Sequence, residues 1–166
     1  MKGEQVNVRE AAPGDLITVS GILTEAASWL RDRGMSLWDV QEVSVDRLRA
    51  EAGAGLFVLA ECNGRAVGTL QYLLEDPLTW PDAREGESAF VHRLAVRRGH
   101  TGGVISGALL EWAVGRTRAL GRRYLRLDCE ASRDKLRRFY ERFGFRYHSD
   151  RRVGPYHVAR YQYPVC

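Results

Sequence analysis

Apolar residues are spaced along this chain with two different periods. Leu16, Val19, Ile22, Leu23, Ala26 and Ala27 recur three or four residues apart, the spacing that lines one face of an α-helix. That predicts a helix from Asp15, as N-cap, to about Arg33-Gly34. A short strand over Val6–Arg9 precedes it, stopped by Ala11-Ala12-Pro13-Gly14. Trp29 and Leu30 fall at the end of the helix, and Trp38 follows a break. Ser44 is placed to cap a second helix, from Val45 to about Ala52, closed by Gly53-Ala54-Gly55.

The pattern then changes. Leu56–Glu61 and Arg65–Leu74 read as strands joined through Cys62-Asn63-Gly64, where Asn-Gly favours a tight hairpin turn. The stretch 75–87 holds Pro77, Pro81 and Gly86 and reads as an exposed loop. Ser88–Val96 is the next strand. A helix follows from Gly102 to about Leu120, with Leu109, Leu110, Ala113 and Val114 as its apolar stripe, and Gly121 ends it. Tyr124–Cys129 is a strand and Asp134–Phe143 a helix closed by Gly144. Phe145–His148 and Val158–Tyr163 are strands linked around Gly154-Pro155. The order β-α-α-β-β-β-α-β-α-β-β predicts an α/β (α+β) fold: a mixed, mainly antiparallel sheet with helices on both faces.

Composition narrows the function classes. With 166 residues, 45% of them apolar, one domain over 1–166 is expected. No apolar run approaches the ~18 residues of a membrane span, and Met1–Gln5 lacks the apolar core of a secretory signal. Cys62, Cys129 and Cys166 are odd in number with no CxxC pair. That argues against a disulfide framework or a structural zinc site, and for a reduced cytoplasm. Residues 1–92 carry 8 Lys+Arg against 15 Asp+Glu, net −7, whereas residues 93–166 carry 17 against 6, net +11. Opposed potentials of this kind suit an anionic ligand held by the C-terminal half and a cationic one near the N-terminal half. Solvated arginines on outer faces are the plain alternative. Nucleic acid is the rival anion, but no basic groove with interleaved aromatics is evident.

The most informative junction runs from strand Ser88–Val96 through Arg97-Arg98-Gly99-His100-Thr101-Gly102-Gly103 into a helix. A glycine-bearing turn at a helix start leaves backbone N–H groups unpaired, and with the helix dipole these attract phosphate. Neither a Walker-type lysine loop nor a G-x-G-x-x-G fingerprint is present.

Residues 92–112, HRLAVRRGHTGGVISGALLEW, and 124–145, YLRLDCEASRDKLRRFYERFGF, resemble the GNAT superfamily of acetyl-CoA-dependent N-acetyltransferases. VNVREAAPGDL at the start and FVLAECNGRAVGTL at the hairpin fit the same order, so the resemblance covers the whole chain. It is similar in particular to small bacterial members of undetermined substrate. The resemblance implies a fold with a splayed strand pair, and acetyl-CoA as donor. Strand Val91–Val96 should bulge and part from its neighbour, with backbone groups of Leu94, Ala95 and Val96 along the pantetheine arm. The turn Thr101-Gly102-Gly103-Val104-Ile105-Ser106, with Arg97 or Arg98, would hold the pyrophosphate. Thr101, Val104 and Ser106 depart from the family's Gln/Arg and glycines, and Gly102 and Gly103 are free to move the tight point of the turn. Arg133 stands where many relatives place an asparagine beside the pantetheine. Tyr140 falls where the family places the phenol that protonates the departing thiolate; the alternative is an aromatic packed under the sheet.

Acetyl transfer also needs a base for the attacking amine. His92 lies two residues before Leu94, and strand alternation turns His92, Leu94 and Val96 to one face. Two readings fit it: the general base, or a histidine satisfied in the core. Glu87 and Glu130 are alternative bases through water. Cys129 has no basic partner spaced to make it a nucleophile. Trp29, Trp38 and Trp80 lie in the elements expected to hold the acceptor, where an indole face can bind an ammonium, or they are core residues. The expectation is a cytoplasmic N-acetyltransferase, monomeric or homodimeric, using no metal, nucleic acid or membrane and acting by direct attack of a small, cationic primary amine. A catalytically weak CoA-binding or partner-binding module is the alternative.

Overall fold

A helical apolar stripe forms only if something covers it, and the first helix of the chain is covered along its whole length. The structure, a computed structural model, describes residues 4–35, 38–52 and 55–165. The helix α1 spans Leu16–Arg31 and buries Leu16, Val19, Ile22, Leu23, Ala27 and Leu30, the stripe expected from the spacing. Asp15 does not cap it with its side chain. Its carboxylate is already engaged by Arg9 and by the Ala12 amide, each at 2.7 Å, and closes the 3₁₀ turn Pro13–Asp15 instead. Ser44 does cap α2 (Val45–Glu51), accepting from the Arg47 amide at 3.4 Å. The expected closure of that helix at Gly53-Ala54 lies outside the described residues, as do Met1–Gly3 of the N-terminus and Cys166.

The strands are β1 (Val6–Glu10), β2 (Gly55–Cys62), β3 (Arg65–Leu73), β4 (Ser88–Val96), β5 (Tyr124–Glu130), β6 (Arg146–Val153) and β7 (Tyr156–Pro164), with α3 at Val104–Ala119 and α4 at Asp134–Phe143. They hydrogen-bond in the order β1-β2-β3-β4-β5-β7-β6. The β4–β5 pair is parallel, while β1–β2, β5–β7 and β6–β7 are antiparallel. The last hairpin is longer than its apolar pattern suggested, because β6 is an edge strand with few apolar positions to mark it.

Close packing divides the chain into two units, Met1–Gln71 with Arg93–Leu110, and Tyr72–His92 with Glu111–Cys166. The first is built on Leu16, Val19, Ile22, Leu23, Val43, Leu48, Phe57, Leu59 and Ala95. There β3 passes under the start of α3 at Gly68. A Cβ at this glycine would lie 2.6 Å from Cγ2 of Ile105 and 3.1 Å from Cδ1 of Leu109, so its absence sets how closely the helix sits on the strand. The second unit buries Leu125, Leu127, Tyr161, Phe145 and Tyr140. Tyr72, also buried, hydrogen-bonds Thr117 of α3 at 2.9 Å. Full burial of each such side chain contributes roughly 1.5–3 kcal/mol before chain entropy is counted.

Candidate active site

The site begins where β4 stops being a regular strand. Its parallel pairing with β5 joins Ser88, Ala89 and Phe90 to Tyr124, Leu125 and Arg126 and reaches no further among the described residues, although β4 runs on to Val96 and β5 to Glu130. Arg93 has φ of 52°, a left-handed conformation that a non-glycine residue adopts only when its surroundings hold it. The hold is a bidentate ion pair, with Arg93 Nη1 and Nη2 2.6 and 3.1 Å from the two oxygens of Glu51. Arg93 lies within the stretch Val91–Val96 where the bulge was expected. It also interrupts the pleat, so the simple alternation that put His92, Leu94 and Val96 on one face does not carry across it.

Beyond Val96 the chain turns into α3. Gly102 and Gly103 take the positive φ values, 124° and 98°, and Val104 enters the helix without one. The Gly103 carbonyl accepts the first intrahelical bond, from the Gly107 amide at 2.8 Å. The six backbone N–H groups of Thr101–Ser106 donate to no acceptor among the described residues. Consecutive unpaired amides at a helix start form a concave anion site with a fixed partial positive charge. Val104, the β-branched departure from the family pattern, is 71% exposed and leaves the amide row clear.

The two arginines before the turn are tied down differently. Arg97 donates through Nε to the Ala66 carbonyl at 3.1 Å and through Nη1 to Glu25 at 2.9 Å. Arg98 stacks its guanidinium 3.6 Å from the ring centre of Trp29, whose ring also carries Arg33 at 3.8 Å. Glu25 accepts from the Arg98 amide as well, at 3.3 Å. Trp29 therefore serves as a platform for two of the chain's own cations. Trp38 donates from its indole nitrogen to the Leu23 carbonyl at 3.3 Å and packs on the core of its unit.

In the other unit, His92 points Nε2 at Oδ2 of Asp76, 2.7 Å away. The other oxygen of Asp76 accepts from the Thr79 amide at 3.1 Å. Burial pushes the Asp76 carboxyl up, but the hydrogen bonds from His92 and Thr79 outweigh it and hold the group below its ordinary range. Asp128, on β5, brings a second carboxylate: one oxygen of each acid and one ring nitrogen of His92 lie within 4.8 Å of one another. That is the spacing of a group that shares a proton or a cation. Burial raises the Asp128 carboxyl, His92 and Arg160 lowering it and Asp76 adding to the rise. Its Oδ1 is buried without a hydrogen-bond partner. Neither acid stood out from the sequence. Asp76 has no spacing relation to a histidine 16 residues on, and the one available signal at Asp128 was an aspartate in mid-strand, where that residue is disfavoured.

Tyr140, on α4, is buried, with the rings of Phe139, Phe145 and Tyr161 centred 5.7, 5.8 and 6.3 Å away. Burial pushes its phenol well above the ordinary value, so it keeps its proton. Arg133 sits at the N-cap of α4 without a side-chain capping bond. Glu87 lies 3.8 Å from Arg126, and Glu130 is exposed at the end of β5. Cys129 is buried and its thiol is pushed up to about 11 by that burial, which leaves it an inert thiol near neutrality. Trp80 is buried, with the guanidiniums of Arg126 and Arg160 4.7 and 4.5 Å from its ring centre.

Comparison with known proteins bears on this arrangement. A family model described as acetyltransferase (GNAT) family matches residues 22–145. The uncharacterized N-acetyltransferase YesJ of Bacillus subtilis (strain 168) is 30% identical over 139 residues, 80% of this chain and 77% of that protein. Among solved structures, a GNAT-family acetyltransferase from Listeria monocytogenes superposes with a TM-score of 0.77 at 24% identity, covering 98% of this chain and 96% of its own. YncA of Salmonella typhimurium, solved with its cofactor acetyl-CoA, gives 0.73 at 16% identity, covering 97% and 94%. No described helix is long and apolar enough to cross a membrane.

Proposed function

Since the chain belongs to the GNAT acetyltransferase family, we propose that it transfers the acetyl group of acetyl-CoA to a primary amine of a small, positively charged acceptor. The observation that carries this is the row of six amides at Thr101–Ser106 that have no acceptor among the described residues, a fit for a pyrophosphate. Gly102 and Gly103 allow an anion to approach the backbone where a side chain would stand in the way. Leu94, Ala95 and Val96 lie beyond the described β4–β5 pairing, and their backbone groups would pair with the pantetheine amides as an added strand does. Arg98, fixed on Trp29, supplies charge at the turn.

His92 is the group we assign to take the proton of the attacking amine. Direct attack forms the N–C bond and breaks the C–S bond, and the thiolate that leaves needs a proton. Tyr140 keeps a proton across the neutral range and is assigned to deliver it. The carboxylates of Asp76 and Asp128 beside His92 favour an acceptor that arrives as an ammonium ion. Glu87 is held toward Arg126, which favours His92 over it as base. The reaction belongs in the cytoplasm, where acetyl-CoA is made and spent.

Calorimetric titration with acetyl-CoA, followed by thiol release against spermidine, lysine and a free-amine tripeptide, tests the proposal. Binding with turnover of a cationic amine is the expected result, and no binding at millimolar acetyl-CoA would end it. The enclosure of Tyr140 by three rings favours one alternative, a weakly catalytic CoA-binding module. Tight binding with no turnover of any amine would select it.

A further inference from the structure

We infer that Glu51, the last residue of α2, is a positioning residue for acetyl-CoA: its ion pair with Arg93 holds β4 in the backbone conformation that presents Leu94–Val96 to the pantetheine arm. This rests on the donor lying along those residues, as proposed, and adds the side chain that sets how well it binds.

Two non-glycine residues among those described have positive φ, Asn63 at 51° and Arg93 at 52°. Asn63 occupies a hairpin turn, where asparagine tolerates that conformation. Arg93 sits within a strand, with no turn to favour it. For a residue with a Cβ the left-handed region is disfavoured on the order of ten- to a hundredfold against ordinary conformations. A contact from elsewhere in the chain must make up the difference. Nη1 and Nη2 of Arg93 meet the two oxygens of Glu51 at 2.6 and 3.1 Å, the fork geometry that fixes direction as well as partner. The Arg93 side chain is 15% exposed and Glu51 30%, so water does not readily replace either one. Arg47, one turn back on α2, brings a second guanidinium to 3.9 Å from Glu51.

The carboxylate is delivered from a fixed place. Leu48 of α2 is buried in the same core as Ala95 of β4, and at three residues' spacing Leu48 and Glu51 share a face of the helix. Past Arg93 the strand is anchored again, by Ala95 in that core and by the Arg97 amide, which donates to the Val67 carbonyl at 2.7 Å. The peptide orientations of Leu94–Val96 are therefore set by φ at Arg93 on one side and by these anchors on the other. Without Glu51, Arg93 relaxes toward ordinary strand geometry and the row turns away from the donor. Binding then draws on a minor conformation, and the apparent Kd rises by the inverse of its population. Saturating donor restores that conformation, so the rate at saturation is spared.

The test is calorimetric titration of the full chain with CoA, with thiol release at varied acetyl-CoA using the amine that turns over fastest. Glu51→Ala should raise Kd for CoA and KM for acetyl-CoA about tenfold, with kcat at saturating donor within about threefold of wild type. Glu51→Gln, whose amide oxygen still accepts from Arg93, should fall between. Arg93→Gly in the Glu51→Ala background decides the matter, because glycine takes φ of 52° with no partner. Its affinity should return to within about threefold of wild type although the ion pair is gone. Arg93→Ala, which keeps a Cβ and loses the clamp, should bind as weakly as Glu51→Ala. Thermal melts confirm that each variant is folded. Wild-type affinity in Glu51→Ala overturns the inference. So does a double variant as weak as Glu51→Ala alone, which would leave the ion pair a tie between α2 and β4 and nothing more. Wild-type protein that does not bind CoA at millimolar concentration overturns the donor reading itself, and the inference with it.

Discussion

Replacing Gly68 by alanine tests the link between packing and donor binding with a single methyl group. The new Cβ falls 2.6 Å from Cγ2 of Ile105, 3.1 Å from Cδ1 of Leu109 and 3.4 Å from the Ala95 carbonyl oxygen. Carbon atoms rest about 3.5–4.0 Å apart, so the first contact is short by about 1 Å. Ile105 and Leu109 are both buried and cannot swing into solvent. The start of α3 must lift, or Ile105 must leave its rotamer, at a cost of about 1–3 kcal/mol. For a chain of this size that lowers Tm by about 2–4 °C per kcal/mol. A 1 Å shift of the Thr101–Ser106 amides takes an anion contact of about 2.9 Å out of hydrogen-bond range. Losing one bond to a charged group, about 1.5–3 kcal/mol, raises KM for acetyl-CoA roughly 10- to 100-fold. Thiol release measured against acetyl-CoA concentration, with a melt alongside, reads both effects. Ile105→Ala in the Gly68→Ala background removes the struck methyl and should bring KM back toward wild type even though it removes buried surface. A Gly68→Ala protein with lowered Tm and wild-type KM would show that the amide row does not depend on this close approach, and the reasoning would fail.

Gly103→Asp asks a residue with a side chain to hold φ of 98° and sets a carboxylate beside the expected pyrophosphate; KM for acetyl-CoA should rise more than about 10-fold, since each 1.4 kcal/mol is tenfold, and an unchanged KM would displace the site. Tyr140→Phe should lower kcat by about 10²-fold or more with KM for acetyl-CoA little changed, and a rate equal to wild type would free the phenol of its assigned role. Asp128→Asn should stabilise the protein increasingly as pH rises. The Asp128 carboxyl titrates above its unfolded value in the native state, chiefly through burial, so native stability is favoured at low pH and declines as pH climbs through the folded value. The variant escapes that decline, and its Tm advantage should be larger at pH 8 than at pH 4; an advantage that is flat or reversed with pH contradicts the assignment of a buried, unpartnered carboxylate.

Much of the fold was legible because local signals agreed with each other. The stripe of α1, the Ser44 cap, the Asn63-Gly64 turn and the glycine turn before α3 each use a residue type whose preference is local, and each appears where expected. The glycine turn proposed to hold the pyrophosphate was legible for the same reason, and Gly102 and Gly103 absorb the positive φ that Val104 could not take. Other features depend on partners distant in sequence. The left-handed backbone at Arg93 is held by Glu51, 42 residues earlier, in a conformation that arginine does not choose alone. Asp15 lost its capping role to Arg9, and Trp29 was drawn into stacking by Arg33 and Arg98. The Asp76–His92 contact joins a proline-bearing loop to a strand with no spacing rule between them. Gly68 did carry a signal, an isolated glycine inside a strand, which marks a close approach; what approaches it is knowable only from the packing of α3.

Donor binding is proposed to rest on the Thr101–Ser106 amides at the start of α3, which have no acceptor among the described residues. It is tested most directly by ¹H–¹⁵N spectra of the labelled protein during titration with CoA. The largest downfield amide shifts should fall within Thr101–Ser106 and saturate with the binding isotherm. Saturable binding of CoA with those six resonances unmoved would contradict it.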